Sequence, residues 1–366
     1  MTERLPRIAA NVRYDYKMTR ARINHEDLRG FAARLLTAAG AIPEEANIAA
    51  EVLVWADLIG RSTQGVWRLS VLLPRLRDGL IRSPCVPELS QRADSIAVLD
   101  GHDGFGQFVG HIAMKRAVAL ARSHGIGVAA VRNSNHFSAG AYYVQMAARE
   151  EMLGFAFTNA TRRVAPHGGL TPLFGTNPIS FGAPMRGSQP VLIDFATGAM
   201  AGSVIRRATE TNTPIPEGVA IDEEGRPVTD PKEALKATLL PFGAAKGFCL
   251  SLMVEILTGV VTESLMSFQI PTMHEKEQSP SRIGHFFLAI DVARLLPIED
   301  YYRRIETLVA AVKASRRAKG IKEILIPGKT RWRNYEDQLA RGVRLDAKTI
   351  KSLKSLATEL NIATPW

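Results

Sequence analysis

Between Gly125 and Thr197, short apolar runs repeatedly end in clusters of Asn, Ser, His, Gly and Thr, and this rhythm restricts the fold more than any other feature of the chain. Gly125 to Val131 (GIGVAAV) reads as a buried strand. Thr158-Asn159 closes the next strand, Gly175-Thr176-Asn177-Pro178 opens another, and Asp194 ends the run Val191-Leu192-Ile193. Runs of this length bounded by turn-formers suit a sheet. Each boundary alone could be a turn, but four carrying small hydrogen-bonding side chains describe the edge of a scaffold that presents groups for binding or chemistry.

Asn133-Ser134-Asn135-His136-Phe137 follows the first of these runs and precedes a helical pattern from about Ala139 to Glu150. His136 therefore stands just ahead of a helix N-terminus. The partial positive charge there favours a neutral imidazole, able to accept or return a proton near neutral pH. A histidine that only caps or packs is the plainer alternative, and the neighbouring polar boundaries weigh against it.

The chain has 366 residues, 46% of them apolar, enough for one large domain or two around a buried core. Cys85 and Cys249 give neither a disulfide framework nor a metal-ligand cluster, which suits a reducing cytoplasm, and each reads as a small packing residue. No run is long and apolar enough to span a membrane, and the N-terminus lacks a signal-peptide core. A net charge of +10 invites a nucleic-acid reading. The basic residues are dispersed, however, over the N-terminal extension, Arg206-Arg207 and the C-terminal portion, with no nucleic-acid motif beside them, so most of the charge is read as solvated surface.

Residues 1 to about 20 show no sustained period and read as an extension or a subunit-contact arm. Three helices come next: one with Asn24 as N-cap and Gly40 as stop, one beginning at Pro43, and one over about Val66 to Arg77. Ser95 to Asp100 is a strand, followed by a GxGxxxG run, Gly104 to Gly110. The spacing is not that of a dinucleotide fingerprint, and tight packing of a turn against a sheet explains it better. Residues 266 to 282 are polar and aperiodic, as in a mobile loop. His285 to Asp291 reads as a strand returning to the sheet. A helix over about Pro297 to Arg317 and two shorter ones, near 334 to 341 and 346 to 360, are expected to pack on the N-terminal helices.

The segments VRNSNHFSAGAYY, TNATRRVAPHGG, FGTNPISFGAP and VLIDFAT resemble successive signatures of the malate/L-lactate dehydrogenase-like oxidoreductases that lack a Rossmann fold, and the resemblance runs from about Ile23 to the C-terminus. It implies an α/β (α+β) fold, with a two-layer α/β cofactor domain of non-Rossmann type over about 95 to 292. A helical domain is built from both chain ends, 21 to 94 and 293 to 366. It also implies NAD or NADP as cofactor, a small-molecule substrate and a homodimer, with no nucleic acid or membrane partner.

Carried over residue by residue, the resemblance makes His136 the proton partner of the reacting oxygen, Arg68 the anchor of a substrate carboxylate and Asp194 an orienting group. The family's Asp-Ser-His-Gly-Val motif aligns with the segment around Ser62 to Val66, where Thr63 replaces the serine and Gln64 the histidine. Glutamine donates a hydrogen bond but cannot cycle a proton, so an acid/base role at position 64 is unsafe. Lys246 in Gly243-Ala244-Ala245-Lys246-Gly247 opens a long helix to about Glu263, where a lysine opposes the helix dipole unless an anion binds; the family's GG-x-KG motif favours an anion of substrate or cofactor, and snorkelling to water is the alternative. Cofactor contacts are assigned to His136, Ser138, Thr158, Asn159, Gly175, Thr176, Asn177, Asp194, Thr197, Lys246 and Gly328. Lys329 replaces the family's glutamate after Pro327-Gly328, which suits either a phosphate-bearing cofactor or a solvated loop, and Val219 stands where relatives carry tryptophan.

Three activities remain open: hydride transfer between nicotinamide and a 2-oxo or 2-hydroxy acid, reduction of a cyclic imine carboxylate, and a degenerate homologue that binds cofactor without turnover.

Overall fold

A computed structural model describes residues 21–272 and 279–366. The N-terminal extension lies outside them, as does part of the 266–282 loop. β1 (Ala21–Ile23) leads into α1 (His25–Ala38), whose start is set by Asn24: its side chain accepts from the Glu26 N–H at 2.8 Å and the Asp27 N–H at 3.4 Å. Those donors would otherwise lack partners. Leu28, Phe31, Leu35 and Leu36 share its buried face. α2 (Pro43–Leu58) opens with proline in its first turn, where the missing N–H costs nothing. Short 3-10 turns, Ser62–Gln64 and Val66–Arg68, connect it to α3 (Leu69–Arg77).

The sheet begins with a hairpin, β2 (Glu88–Ala93) and β3 (Ile96–Asp100), of which sequence reading gives only the second strand. Then come α4 (Gly106–His124), β4 (Ile126–Ser134), α5 (Gly140–Arg149), β5 (Met152–Thr158), β6 (Ile179–Ala183) and β7 (Val191–Phe195). An annex of α6 (Gly202–Thr211), β8 (Ala220–Ile221), α7 (Pro231–Ala234) and β9 (Thr238–Leu239) closes over its own apolar cluster, in which Val219 packs with Val164, Ile205 and Leu239. α8 (Ala245–Glu255) continues into a π-helical turn, Ile256–Val260. β10 (Ile283–Asp291), α9 (Ile298–Ala314), α10 (Lys329–Arg341), β11 (Val343–Leu345) and α11 (Ala347–Glu359) complete the chain.

The seven strands run in the order β2-β3-β4-β10-β5-β6-β7. Only β3 and β4, joined by α4, are parallel; the other pairings are antiparallel, and β10 enters between β4 and β5 from far along the sequence. This is not the doubly wound parallel sheet of a Rossmann domain. α4 and α5 lie close on one face: a Cβ on Gly127 would stand 2.0 Å from the Ala117 carbonyl, and one on Gly182 2.4 Å from that of Val144. The Gly104 to Gly110 run is likewise a packing device, since a Cβ on Gly106 would lie 2.0 Å from the Asn135 carbonyl oxygen. On the opposite face Phe155, Phe181, Phe286 and Leu288 remain half-buried, and Ile126 is 42% exposed.

The helical layer draws on both ends of the chain. β1 pairs with β11, α10 packs on α2 and α11 on α3, and a single apolar core runs from α1–α3 into α4, α5 and the sheet. α9 departs from expectation. Its anchors are Tyr302 on the Glu151 carboxylate (2.8 Å), Tyr301 on the Pro184 carbonyl (3.2 Å) and the Arg186–Glu299 pair, so it is held at the β5–β6 end of the sheet instead of among the N-terminal helices. Cys249 also differs, being exposed where a packed position was expected, while Cys85 is buried.

Candidate active site

The turn from Arg61 to Arg68 organises the polar groups above the strand ends. Asp57 braces it from below: its buried carboxylate accepts from the Val66 N–H at 2.8 Å, and burial raises its pKa well above 3.8. Only glycine fits at position 65, because a Cβ there would stand 2.2 Å from that carboxylate. Ser138 Oγ donates to the Gln64 carbonyl, fastening the turn to the loop that carries His136. Gln64 Oε1 accepts from Arg68 Nε at 3.0 Å, which orients the guanidinium and leaves the glutamine amide N–H groups without a partner among the described residues. Thr63 lies half-buried in the same turn. Arg68 is 9% exposed, and burial, helped by the charge of Arg206, brings its pKa down to about 9.

His136 sits across this turn, four residues before α5. Its Nδ1 accepts from the Ser138 N–H at 3.1 Å, so the neutral ring carries its proton on Nε2. Burial first, then the Arg68 guanidinium, holds its pKa well below 6.5. A neutral imidazole is what the sequence leads us to expect, and burial beside an arginine favours it here. Beneath lies His285, wholly buried and stacked on Phe137 with ring centroids 4.7 Å apart. Its Nδ1 is 2.8 Å from Thr158 Oγ1 and its Nε2 3.0 Å from Ser134 Oγ, and burial lowers its pKa to about 3.

Asp194 does not bond to His136. Its Oδ1 accepts from Ser180 Oγ at 3.0 Å, while Oδ2 faces Arg61 at 3.5 Å and Arg331 at 3.6 Å; Arg331 also donates to the Asp194 carbonyl at 2.5 Å. Arg68, His136 and Asp194 are thus joined through one turn, Asp194 by way of Arg61 and the other two by way of Gln64 and Ser138. Arg331 reaches the strand because the Pro327–Gly328 turn lies on β7: the Pro327 carbonyl accepts from the Leu192 N–H at 3.2 Å, and Gly328 has φ +95° with no room for a Cβ. Lys329 pairs with Glu323 at 2.6 Å, so its charge is already matched within the chain.

The polar residues at the remaining strand ends turn inward, around Glu255. Glu255 is 5% exposed, and its carboxylate accepts from Asn177 Nδ2 (2.7 Å), Ser267 Oγ (2.6 Å), the Ser267 N–H (2.6 Å) and, more weakly, Asn159 Nδ2 (3.4 Å). Asn159 also donates to the Leu265 carbonyl and accepts from the Gly284 N–H. Thr197 Oγ1 lies 3.1 Å from both the Thr176 and Asn177 carbonyls. Gly175 is required where this loop meets the 159–161 segment, since a Cβ would fall 2.3 Å from the Ala160 carbonyl. The side chains of Thr158, Asn159, Asn177 and Thr197 therefore hold the loops together, and Thr176 is half-buried beside them.

Lys246 is exposed at the start of α8, a helix with no side-chain N-cap and no acidic residue in its first turn, entered through Gly243 and Ala244 at φ +55° and +54°. A cation on a helix N-terminus with free N–H groups suits an anionic ligand, so the donor chemistry fits the phosphates of a dinucleotide. A separate groove of about 310 Å³, lined by Pro190, Val191, Lys329 and Trp332 among others, shares no residue with the Arg68–His136 cluster. Arg61, Arg331, His285 and Glu255 were not found from sequence. A histidine in an apolar strand and an acid in an apolar helix were the available signals for the last two.

The mixed sheet with its helical layer defines an α/β scaffold of non-Rossmann type, and the comparisons with known proteins give its family. The malate/L-lactate dehydrogenase family model matches residues 23–354, and the chain belongs to that family. It is 35% identical over 344 residues to the malate/(S)-sulfolactate dehydrogenase of Methanothermus fervidus, covering 94% of this chain and 99% of that protein. Over 293 residues it is 33% identical to a Delta(1)-pyrroline-2-carboxylate/Delta(1)-piperideine-2-carboxylate reductase of Pseudomonas aeruginosa, covering 80% and 88% of the two chains. The crystal structure of malate dehydrogenase from Entamoeba histolytica superposes with a TM-score of 0.90 at 29% identity, covering 95% of this chain and all of that one.

Proposed function

We propose that this protein is an NAD- or NADP-dependent oxidoreductase moving hydride between nicotinamide and a 2-oxo or 2-hydroxy acid. One observation carries the reading: a neutral imidazole and an oriented guanidinium, without an ion-pair partner among the described residues, are fastened to the same Arg61–Arg68 turn. Arg68 takes the substrate carboxylate in a charge-assisted pair. Gln64 holds Arg68 in place and offers its free amide to the substrate, beside Thr63. When bound, reduced nicotinamide supplies the hydride. His136, neutral with its proton on Nε2, would donate a hydrogen bond to the substrate carbonyl oxygen and stabilise the negative charge that grows there during hydride transfer, while water supplies the proton that completes the hydroxyl. Asp194, gripped by Arg61 and Arg331, fixes the floor of the site.

Lys246 and the α8 N-terminus are assigned to cofactor phosphate. Ser138, Gly175, Thr176 and Gly328, with the backbone near Thr158, Asn159, Asn177 and Thr197, are assigned to its passage along the strand ends. The segment 95–292 is read as the cofactor domain and the chain ends as a helical domain. Two unpaired cysteines support a cytoplasmic location. The half-buried apolar sheet face, together with Leu252, Ile256 and Val260 exposed along α8 and its π-helical turn, supports a homodimer.

Reduction of a cyclic imine carboxylate is the second reading, favoured by Gln64: an imine nitrogen can be protonated in water, so less is asked of position 64. Purified protein assayed against 2-oxo acids and cyclic imine carboxylates with NADH and NADPH separates the two by which substrate class oxidises the reduced nicotinamide. Calorimetric binding of nicotinamide cofactor without turnover on any substrate indicates a degenerate scaffold, and absence of binding removes all three readings.

A further inference from the structure

The groove of about 310 Å³ beside the Pro327–Gly328 turn has no place in the hydride-transfer reading. It lies at the start of β7: Pro190 and Val191 line it, and Asp194 stands three residues further along the strand, roughly 10 Å away at the usual rise. α10 turns Lys329, Trp332, Arg333 and Glu336 to the groove, the i, i+3, i+4, i+7 face of a helix, and α9 adds Val309 and Lys313. Trp332 is 5% exposed, and its Nε1 donates to the Pro190 carbonyl at 2.8 Å, which ties α10 to the entry of β7.

Two properties of this groove point to a ligand. One wall is apolar and uncovered: Tyr302 is the one buried residue of α9, so the turns that carry Val309 and Lys313 have none to hold them. The second property is charge. Lys329 and Arg333 share a single carboxylate, Glu323, at 2.6 and 2.8 Å, and Lys313 has no ion pair among the described residues. With Glu336 counted, three cations meet two carboxylates, which leaves one positive charge over. Small-molecule sites of ~300–1,000 Å³ combine apolar walls with a few placed polar groups in this way. α10 also carries Arg331, whose Nη2 donates to the Asp194 carbonyl at 2.5 Å, so one helix bears on both the groove and the floor of the site.

We propose that this groove binds a small monocarboxylate with an apolar body, and that a molecule seated there strengthens the hold of Arg331 on Asp194, making the groove an activating effector site. The carboxylate lies at Lys313, whose charge is unmatched, and the apolar body lies against Val309, Val191 and Trp332. Filling the space between α9, α10 and the β6–β7 turn favours the arrangement in which α10 is seated on β7. The same arrangement places Arg331 on Asp194, so effector and substrate favour one state and each raises the affinity of the other. Binding in the groove is independent of the reaction, whereas the coupling rests on the reading of Asp194 as the floor of the site.

The test titrates phenylacetate into the full chain by calorimetry, in an Arg68→Met background so that the substrate anchor cannot take the carboxylate. 2-Phenylethanol, which keeps the body and loses the charge, and acetate, which does the reverse, should each bind at least about tenfold more weakly. Lys313→Glu should weaken phenylacetate by a similar factor; the residue is exposed, so the change leaves the core intact. Equal binding of 2-phenylethanol, indifference to Lys313→Glu, or no binding at all overturns the site. Displacement of phenylacetate by NADH or adenosine monophosphate would make the groove part of the cofactor's path, and overturns the proposal as well. With Arg68 restored, saturating phenylacetate should lower KM for a 2-oxo acid about fivefold, and should have no effect in Lys313→Glu. An unchanged KM, or one raised as by a competitor, ends the effector role. By reciprocity Arg331→Gln should weaken phenylacetate about fivefold, although Arg331 does not line the groove. If no oxo acid is turned over, the proposed activity fails on its own and this last measurement decides the coupling: an unchanged affinity ends it.

Discussion

Around Glu255 each carboxylate oxygen has at least one strong donor, and the donors come from loops distant in sequence; the Arg68 guanidinium has a glutamine oxygen, the Trp67 ring 6.0 Å from its Cζ, and the unfavourable charge of Arg206. Both clusters bury charge. In the first the charge is solvated by the protein itself, so it can serve as a fastener between the 159–161, 175–177 and 265–267 segments. In the second no counter-charge is present among the described residues, so Arg68 keeps hydrogen-bonding capacity that they do not use. A buried polar group therefore reads as structural or functional according to whether its hydrogen-bonding capacity is spent.

The strongest way to break this contrast is to remove one member from each cluster and measure both stability and turnover. Glu255→Ala leaves the Ser267 N–H without an acceptor and takes from Ser267 Oγ and Asn177 Nδ2 their shortest bonds in a dry interior, and is expected to cost about 3 kcal/mol in urea unfolding. Glu255→Gln keeps one acceptor oxygen and should cost less. Arg68→Met should do the reverse. Stability should hold or rise by up to about 1 kcal/mol because an unpaired charge leaves the interior, whereas kcat/KM on an oxo acid should fall by about 100-fold or more, the worth of a close carboxylate pair. A large loss of stability from Arg68→Met, or none from Glu255→Ala, would show the two clusters to be alike.

Acid sharpens the same contrast. His136 and His285 both resist protonation in the folded state, while an unfolded histidine titrates near 6.5. Below pH 6.5 the unfolded chain takes up protons that the native one refuses. Stability is thus fully present above that value and declines as pH falls, for His285 down to about 3, by an amount on the order of a few kcal/mol. Replacing His285 with Gln should flatten this decline in an unfolding series from pH 7 to pH 4. A slope unchanged by that replacement would mean that His285 titrates normally.

Much of the scaffold is written locally. Asn24 caps, Pro43 starts a helix, and apolar runs bounded by small polar residues become β4 to β7, because these choices depend on neighbours in sequence. The site is legible only in part. His136 announces itself by its position between strand and helix, but the partners of Asp194 do not, since Arg61 and Arg331 lie 133 and 137 residues away from it. The hairpin strand β2 was missed because its residues, ELSQRA, are mostly exposed and lack an apolar face. The inward turn of Asn159 and Asn177 was invisible for a related reason: α8 presents its acid to the interior and Leu252, Met253 and Ile256 to the outside, the opposite of what an amphipathic pattern teaches.

Gln64, in the Arg68 cluster, shows both conditions at once, with its amide oxygen spent and its amide N–H groups without a partner among the described residues, and its replacement carries the smallest expected effect. In Gln64→His the new ring can cycle a proton, but Arg68 Nε loses the amide oxygen that now orients it at 3.0 Å. The gain in acid/base chemistry and the loss of positioning oppose one another. Because His136 already donates a hydrogen bond to the carbonyl oxygen, the net rise in kcat on a 2-oxo acid should be only roughly three- to tenfold, with a raised KM that reports the loosened arginine. A cyclic imine carboxylate, whose nitrogen is protonated before it binds, should show the raised KM without the gain in kcat. Equal improvement on both substrates would mean that position 64 acts by filling space, and would remove Gln64 from any account of how this protein chooses between a carbonyl and an imine.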